Sequence, residues 1–320
     1  MRKWHSLLFM LLLAVGVLAG CGDADKENAQ NEKSSQSENQ KEEQADFPVT
    51  IKDGLGDEVT IDNKPEKIVS LIPSNTETAF SLGLDKEIVG VTDFDNYPEA
   101  ATKKEKIGGM EFNVEKIISL EPDVVLAHAS GSHNSKDGLQ QLRDAGIKVV
   151  VVNDATSFQQ VYDSINMIGT ATGKKAEAQK IVDDMKAKVE EIKEKAAGIT
   201  EKKTVFIEVS PAPEIYTTGK STFMDEMLQM INANNAAGDQ EGWVKMDQEA
   251  IIQSNPDVII TTTPDTAAQI MGRKGWNDIK AVKDKQVFEV NTDIVSRSGP
   301  RLAEGVEEFA KAVYPETFTK

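Results

Sequence analysis

The chain has 320 residues, with 36 basic and 53 acidic side chains and a formal charge of −17. That length accommodates two ordinary domains, and so acidic a chain argues against nucleic acid or anionic lipid headgroups as partners. A single cysteine rules out an internal disulfide.

Arg2 and Lys3 precede an apolar run, Leu7–Leu18, which is too short to span a bilayer comfortably. Small residues then lead to Cys21, so residues 1–20 read as an export signal. Leu18-Ala19-Gly20-Cys21 resembles the lipobox of bacterial lipoproteins. That resemblance implies that Cys21 becomes the lipidated first residue, palmitate among its acyl chains, on the extracytoplasmic face of the cell membrane. With the segment that holds His5 removed and Cys21 lipidated, the two remaining histidines are too few for a metal site built from several His or Cys ligands. An ordinary secretory signal with a chance cysteine is the alternative. Residues 22–46 are almost wholly Asp, Glu, Lys, Asn, Gln and Ser. Such a segment cannot bury enough surface to offset its ordering entropy, so residues 21–46 are expected to form a disordered polar tether with a span of roughly 25–30 Å.

The globular body is expected from Phe47. Val49-Thr50-Ile51, a Gly54-Leu55-Gly56 turn and Val59-Thr60-Ile61 predict a hairpin. Residues 67–71 predict a buried strand, broken by Pro73-Ser74-Asn75 and followed by a helix over 76–82. Strands over 88–91, 124–127 and 149–152 alternate with helices over 114–120, 138–145 and 158–170, which predicts a parallel sheet with helices on its faces. From 173 to 198, Ala178, Ile181, Val182, Met185, Val189, Ile192 and Ala196 recur at steps of three and four. This predicts one long amphipathic linking helix. A second series then predicts strands at 204–208, 258–261 and 287–290, and helices at 222–231, 249–253 and 301–313. The expectation is α/β, with two similar Rossmann-like lobes (47–172 and 199–320), one long rigid helix joining them, and a ligand cleft between them. So stiff a hinge implies little closure on ligand.

The halves echo each other. Residues 113–126 align without gaps on residues 247–260, matching Glu115 with Glu249, Ile117-Ile118 with Ile251-Ile252, and Pro122-Asp123-Val124 with Pro256-Asp257-Val258. Each copy predicts a helix cap, a short helix, a Pro-Asp turn and a buried strand. Helix capping also accounts for the two glutamates, since Asn113 and Asp247 are good N-caps and an acid in the first turn is favoured by the helix dipole.

From about Lys67 to Pro315 the chain resembles the cobalamin-binding, helical-backbone group of ABC-importer receptors, which also includes receptors for ferric siderophores and haem. The resemblance rests on Ile68–Glu77 with Phe80 and Gly83, on Val89–Phe94 with Tyr97-Pro98, on Asn113-Val114-Glu115 with Pro122-Asp123, and on Ser296–Arg301. It implies that Glu115 and Glu249 dock onto arginines of a membrane permease dimer, one glutamate per lobe, with a cytoplasmic ATPase beneath. It implies that Phe94 and Trp243 flank a planar corrin, that Tyr97 and Tyr216 add aromatic contacts, and that Asp293 and Arg297 meet its polar periphery. Arg297 is otherwise the partner of a nearby acid, and Arg301 is expected to be structural. Gly109 departs from the pattern, standing where some cobalamin receptors carry a tryptophan.

Ferric siderophore and haem are the competing ligands. Anionic ferric catecholates call for a basic pocket, and Arg143, Arg273, Arg297 and Arg301 are the arginines of the body. His128 or His133, in the loop after the 124–127 strand, is a candidate axial ligand. No His-Glu-x-x-His, Gly-x-Ser-x-Gly or P-loop pattern occurs, so an enzyme is disfavoured. No cofactor is implied, because a bound corrinoid would be cargo, and the protein is expected to act as a monomer.

Overall fold

The computed structural model describes residues 47–319. The signal segment, Cys21 and the polar tether lie outside them. In chain order the N-terminal lobe comprises β1 (Val49–Lys52), β2 (Glu58–Ile61), β3 (Ile68–Ser70), α1 (Pro73–Ser81), β4 (Ile88–Val91), β5 (Glu105–Lys106), α2 (Val114–Ser119), β6 (Val124–His128), α3 (Ala129–Ser132), α4 (Lys136–Asp144), β7 (Lys148–Val152) and α5 (Phe158–Thr172). The linking helix is α6 (Lys175–Ala196). The C-terminal lobe follows with β8 (Thr204–Glu208), β9 (Tyr216–Thr218), α7 (Phe223–Met230), β10 (Asn234–Asn235), β11 (Trp243–Lys245), α8 (Gln248–Ser254), β12 (Val258–Thr261), α9 (Ala267–Met271), α10 (Lys280–Lys283), β13 (Val287–Glu289), α11 (Thr292–Ser296), α12 (Leu302–Val313) and α13 (Pro315–Phe318).

Each lobe is built on a parallel sheet, in the order β5-β4-β3-β6-β7 and β10-β8-β12-β13 respectively. The predicted hairpin forms, with Val49 opposite Ile61. Both faces of each sheet are covered, so β6 and β12 are buried along their whole length. The strand period of two then divides their side chains between cores. Val124 and Leu126 of β6, with Val258 and Ile260 of β12, enter one large core shared with α5, α6, α7 and α12. Val125 enters a satellite core of the N-terminal lobe with Ile117, and Ile259 enters the matching one of the C-terminal lobe with Ile251.

Two boundaries differ from expectation for identifiable reasons. Pro73 does not break the chain away from β3; it opens α1 at the first helical position, where its missing N–H costs nothing. The linking helix starts at Lys175, two residues late, because Gly173 sits in the left-handed region (φ 71°) and ends α5. At 22 residues α6 runs about 33 Å. It packs on α5 and α12, burying Ala178, Val182, Met185, Val189, Ile192 and Ala196. At the α5 contact Gly169 is required: a Cβ there would lie 2.4 Å from the Cβ of Ala178.

Candidate functional site between the lobes

The four aromatic residues expected at the ligand are not core residues: Phe94 is 52% exposed, Tyr97 46%, Tyr216 38% and Trp243 46%. Side chains of this size and exposure are available for contact with a ligand.

Phe94 and Tyr97 belong to the loop after β4. Thr92 stiffens that loop, its amide and hydroxyl donating to Asp95 Oδ2 at 2.7 and 2.6 Å. Lys106 Nζ donates to the carbonyls of Thr92 and Asp95 from the neighbouring strand. Trp243 and Tyr216 lie on the antiparallel β9–β11 ribbon, where Trp243 pairs with Thr218 and Lys245 with Tyr216. The two aromatics therefore share one face of the ribbon in diagonal register. Trp243 is held edge-to-face against Phe223, the first residue of α7, with ring centroids 5.7 Å apart.

A cavity of about 490 Å³ unites Phe94, His128 and Asp154 of one lobe with Phe223, Trp243 and Arg297 of the other. A smaller pocket of about 190 Å³ adjoins it in the N-terminal lobe, lined in part by Phe94, Gly109, Met110 and His128. The Phe94 ring occupies the space beside Gly109, where a Cβ would meet its edge at 3.3 Å. Tyr97, Tyr216 and Asp293 do not line either pocket, and neither does His133, which is exposed. A wider groove of about 700 Å³, bounded by Lys203, Asp257 and Lys280, lies at the opposite ends of the C-terminal strands.

Sequence reasoning missed Glu77, which ties the two lobes together. This carboxylate in α1 is 2% exposed and bridges two arginines of the other lobe. Arg297 donates to Oε1 at 2.7 Å; Arg301 donates to Oε2 at 2.8 Å and to Oε1 at 2.6 Å. Arg297 also bonds Asn96 and Asp293, and Asn96 donates to Asp293 at 2.7 Å. The Arg301 guanidinium stacks on Tyr97 at 3.9 Å from the ring centroid. Burial opposes the charge of Arg301, but its hydrogen bonds to Glu77 and the Glu77 charge outweigh burial and raise its pKa. The guanidinium of Arg297 thus borders the cavity while its hydrogen bonds go to protein acceptors, as the paired-acid alternative expects. Asp293 is likewise engaged with Arg297 and Asn96. The signal for Glu77 was its place in Ser74-Asn75-Thr76-Glu77 on a helix otherwise short of charge, with two arginines four residues apart to receive it.

Glu115 and Glu249 are exposed in the first turns of α2 and α8, and neither forms an ion pair among the described residues. Among the described residues no group of three or more His, Cys, Asp or Glu converges on a metal position, and no helix is long and apolar enough to cross a membrane.

This two-lobed α/β arrangement is the class III periplasmic binding protein fold. A sequence model of the family described as periplasmic binding protein matches residues 68–293. The chain is 52% identical over 320 residues to an uncharacterized ABC transporter substrate-binding lipoprotein of Bacillus subtilis (strain 168), covering 99% of each. It is 27% identical over 284 residues to a cobalamin-binding protein of Halobacterium salinarum (strain ATCC 29341 / DSM 671 / R1), covering 85% of this chain and 75% of that one. A solved structure of a possible iron-binding (periplasmic solute-binding) protein from Staphylococcus epidermidis superposes with a TM-score of 0.73 at 38% identity, covering 79% of this chain and all of that one. The chain belongs to the periplasmic binding protein family and is a solute-binding protein, not an enzyme.

Proposed function

We propose that this protein is the lipid-anchored receptor of an ABC importer, held on the extracytoplasmic face through Cys21, and that its cleft captures cobalamin or a related corrinoid. One observation carries the ligand: Phe94 on one lobe and Trp243, braced by Phe223, on the other border a single cavity whose one arginine is already paired with Glu77. A large flat ligand is best held between rigid aromatic faces. Arg297 is the one arginine or lysine bordering that cavity among the described residues, and Glu77 already pairs with it. An anionic ferric catecholate would find no free cation there, whereas the amide-rich, largely neutral rim of a corrinoid needs none. Tyr97, Tyr216 and Asp293 sit on the flanks, where a ligand larger than the cavity would reach them.

Delivery would follow through Glu115 and Glu249, one exposed acid per lobe, each meeting a basic side chain of the permease dimer above its ATPase. Matched acids of this kind set orientation and encounter rate more than affinity. Ferric siderophore and haem are the competing ligands, and the Staphylococcus relative is described as possibly iron-binding.

Calorimetric titration of residues 47–320 with cyanocobalamin, ferric hydroxamate and haem in parallel tests the ligand. The expected result is one-to-one cobalamin binding that weakens about 10- to 100-fold in Trp243→Ala, as for a central aromatic anchor. Clear uptake of ferric hydroxamate or haem without cobalamin binding would keep the receptor and overturn its ligand.

A further inference from the structure

His128 is the last residue of β6, 8% exposed, and it lines both pockets of the cleft. Its ring is oriented by the chain that follows. The amide nitrogen of Ser130 lies 3.3 Å from Nδ1 and the Ser130 hydroxyl oxygen 2.8 Å from it, so the imidazole caps the start of α3. A backbone N–H only donates, so Nδ1 must accept, and the serine hydroxyl then donates to it as well. An imidazole that accepts at Nδ1 carries its proton on Nε2. Nε2 has no hydrogen-bond partner among the described residues and is not among the fully buried unpartnered atoms, so it keeps access to the pocket.

We infer that His128 gives the cleft a fixed, uncharged N–H donor at Nε2 for an oxygen acceptor on the ligand, an amide carbonyl or a carboxylate, and not a lone pair for a metal ion. This rests on the cleft being the ligand site. Coordination through Nε2 would require the proton on Nδ1, which would break the bond from the Ser130 amide, reverse the one to its hydroxyl, and uncap α3. Burial holds the imidazole below its ordinary pKa against the opposing pull of Asp154, the acid that borders the same cavity. The ring is therefore neutral near neutral pH, and its direction of donation is set before any ligand arrives. A donor in this position favours ligands with oxygen at their edge, and it discriminates most strongly where that oxygen is otherwise left unpaired.

The tautomer is read first in the ligand-free, full-length chain carrying H5Q and H133Q, in which His128 is the sole histidine. A long-range ¹H–¹⁵N correlation should show an unprotonated Nδ1 and a protonated Nε2; a protonated Nδ1 would overturn the inference whatever the ligand proves to be. Binding is read next with H128F, which removes the donor, and H128Q, which replaces it with an amide N–H, using thermal melts to verify folding. With whichever of cyanocobalamin, ferric hydroxamate or haem binds the wild type, H128F should bind about 5- to 10-fold more weakly, as for loss of one hydrogen bond, and H128Q within about 3-fold. Equal affinity of H128F and wild type would refute the donor role. So would a haem Soret band that depends on His128 and is lost in H128Q. Absence of cyanocobalamin binding to the wild type overturns the corrinoid alone, because the tautomer is measured without ligand.

Discussion

The α2–β6 and α8–β12 units are the same device built twice, whereas the cleft walls above them share little. Asn113 accepts the Lys116 amide at 2.9 Å, and Asp247 accepts the Ala250 amide at 2.8 Å. After each helix the Pro-Asp aspartate anchors the next strand over. Asp123 accepts the amides of Glu66 and Lys67 ahead of β3, and Asp257 accepts the amide of Thr204 at the start of β8. At the other ends of the sheets, a stiffened loop carries Phe94 in one lobe and a two-stranded ribbon carries Trp243 in the other. Caps and strand anchors answer to backbone hydrogen bonds that every copy of the unit must satisfy. Residues lining the cleft are held by partners particular to each lobe, Trp243 by Phe223 and His128 by Ser130, which the repeated unit does not supply.

The buried ion pairs offer the largest test of this contrast. Glu77 joins the lobes, whereas Glu208 is fully buried within one and pairs with Arg273 at 2.6 Å. Replacing either with alanine strands arginine charge and should cost about 3–5 kcal/mol in urea denaturation. Only Glu77→Ala should also change the lobe spacing seen by solution scattering; identical scattering in the two variants would show that Glu77 does not hold the cleft. Next comes the helix pair that frames both lobes. Gly169→Val must push α5 off Ala178 and should lower stability by about 1–3 kcal/mol, with a melt unchanged from wild type counting against the close contact.

The matched acids Glu115 and Glu249, proposed to dock on the permease, test the repeat itself. Ligand-stimulated ATPase activity of the reconstituted importer should fall about tenfold in the Glu115→Gln, Glu249→Gln double variant, about 1.4 kcal/mol. The two single variants should fall equally, and unequal losses would mean that the lobes dock differently. The smallest effect belongs to Glu307, which joins Lys188 of α6 and Lys311 of α12 at 2.6 Å each. Hydrogen bonds to the two lysines lower its pKa to about 2 from 4.5, against modest burial. A carboxylate lowered in the fold contributes stability fully above about 4.5 and loses it as the pH falls through about 2. Half-exposed pairs contribute about 0.5–1 kcal/mol, so Glu307→Gln should destabilise by that amount at pH 7 and by less at pH 3. An undiminished difference at pH 3 would rule the ion pairs out as its source.

Periodicity made most of the frame legible. Steps of three and four marked α6, alternating apolar runs marked the hairpin, and the 134-residue offset between matched segments marked the two lobes. Some short elements were not legible: β5 and β10 have two residues each, and β11 (Trp243–Lys245) has three, without the apolar run that marked the equally short β3. They form because a neighbouring strand offers them hydrogen bonds, and β11 is the element that aims Trp243.

The sequence by itself determined the class of fold, the matched glutamates at two helix starts, and the aromatic residues of the loop and ribbon segments. These are local in the chain, written in spacing and capping chemistry. Only the tertiary structure decided that Phe94, Phe223 and Trp243 border one cavity, that Glu77 takes up Arg297 and Arg301, and that His128 donates at Nε2. Residues 77 and 297 lie 220 positions apart, and no period or motif can record a contact that exists only once two separately folded sheets are packed against each other.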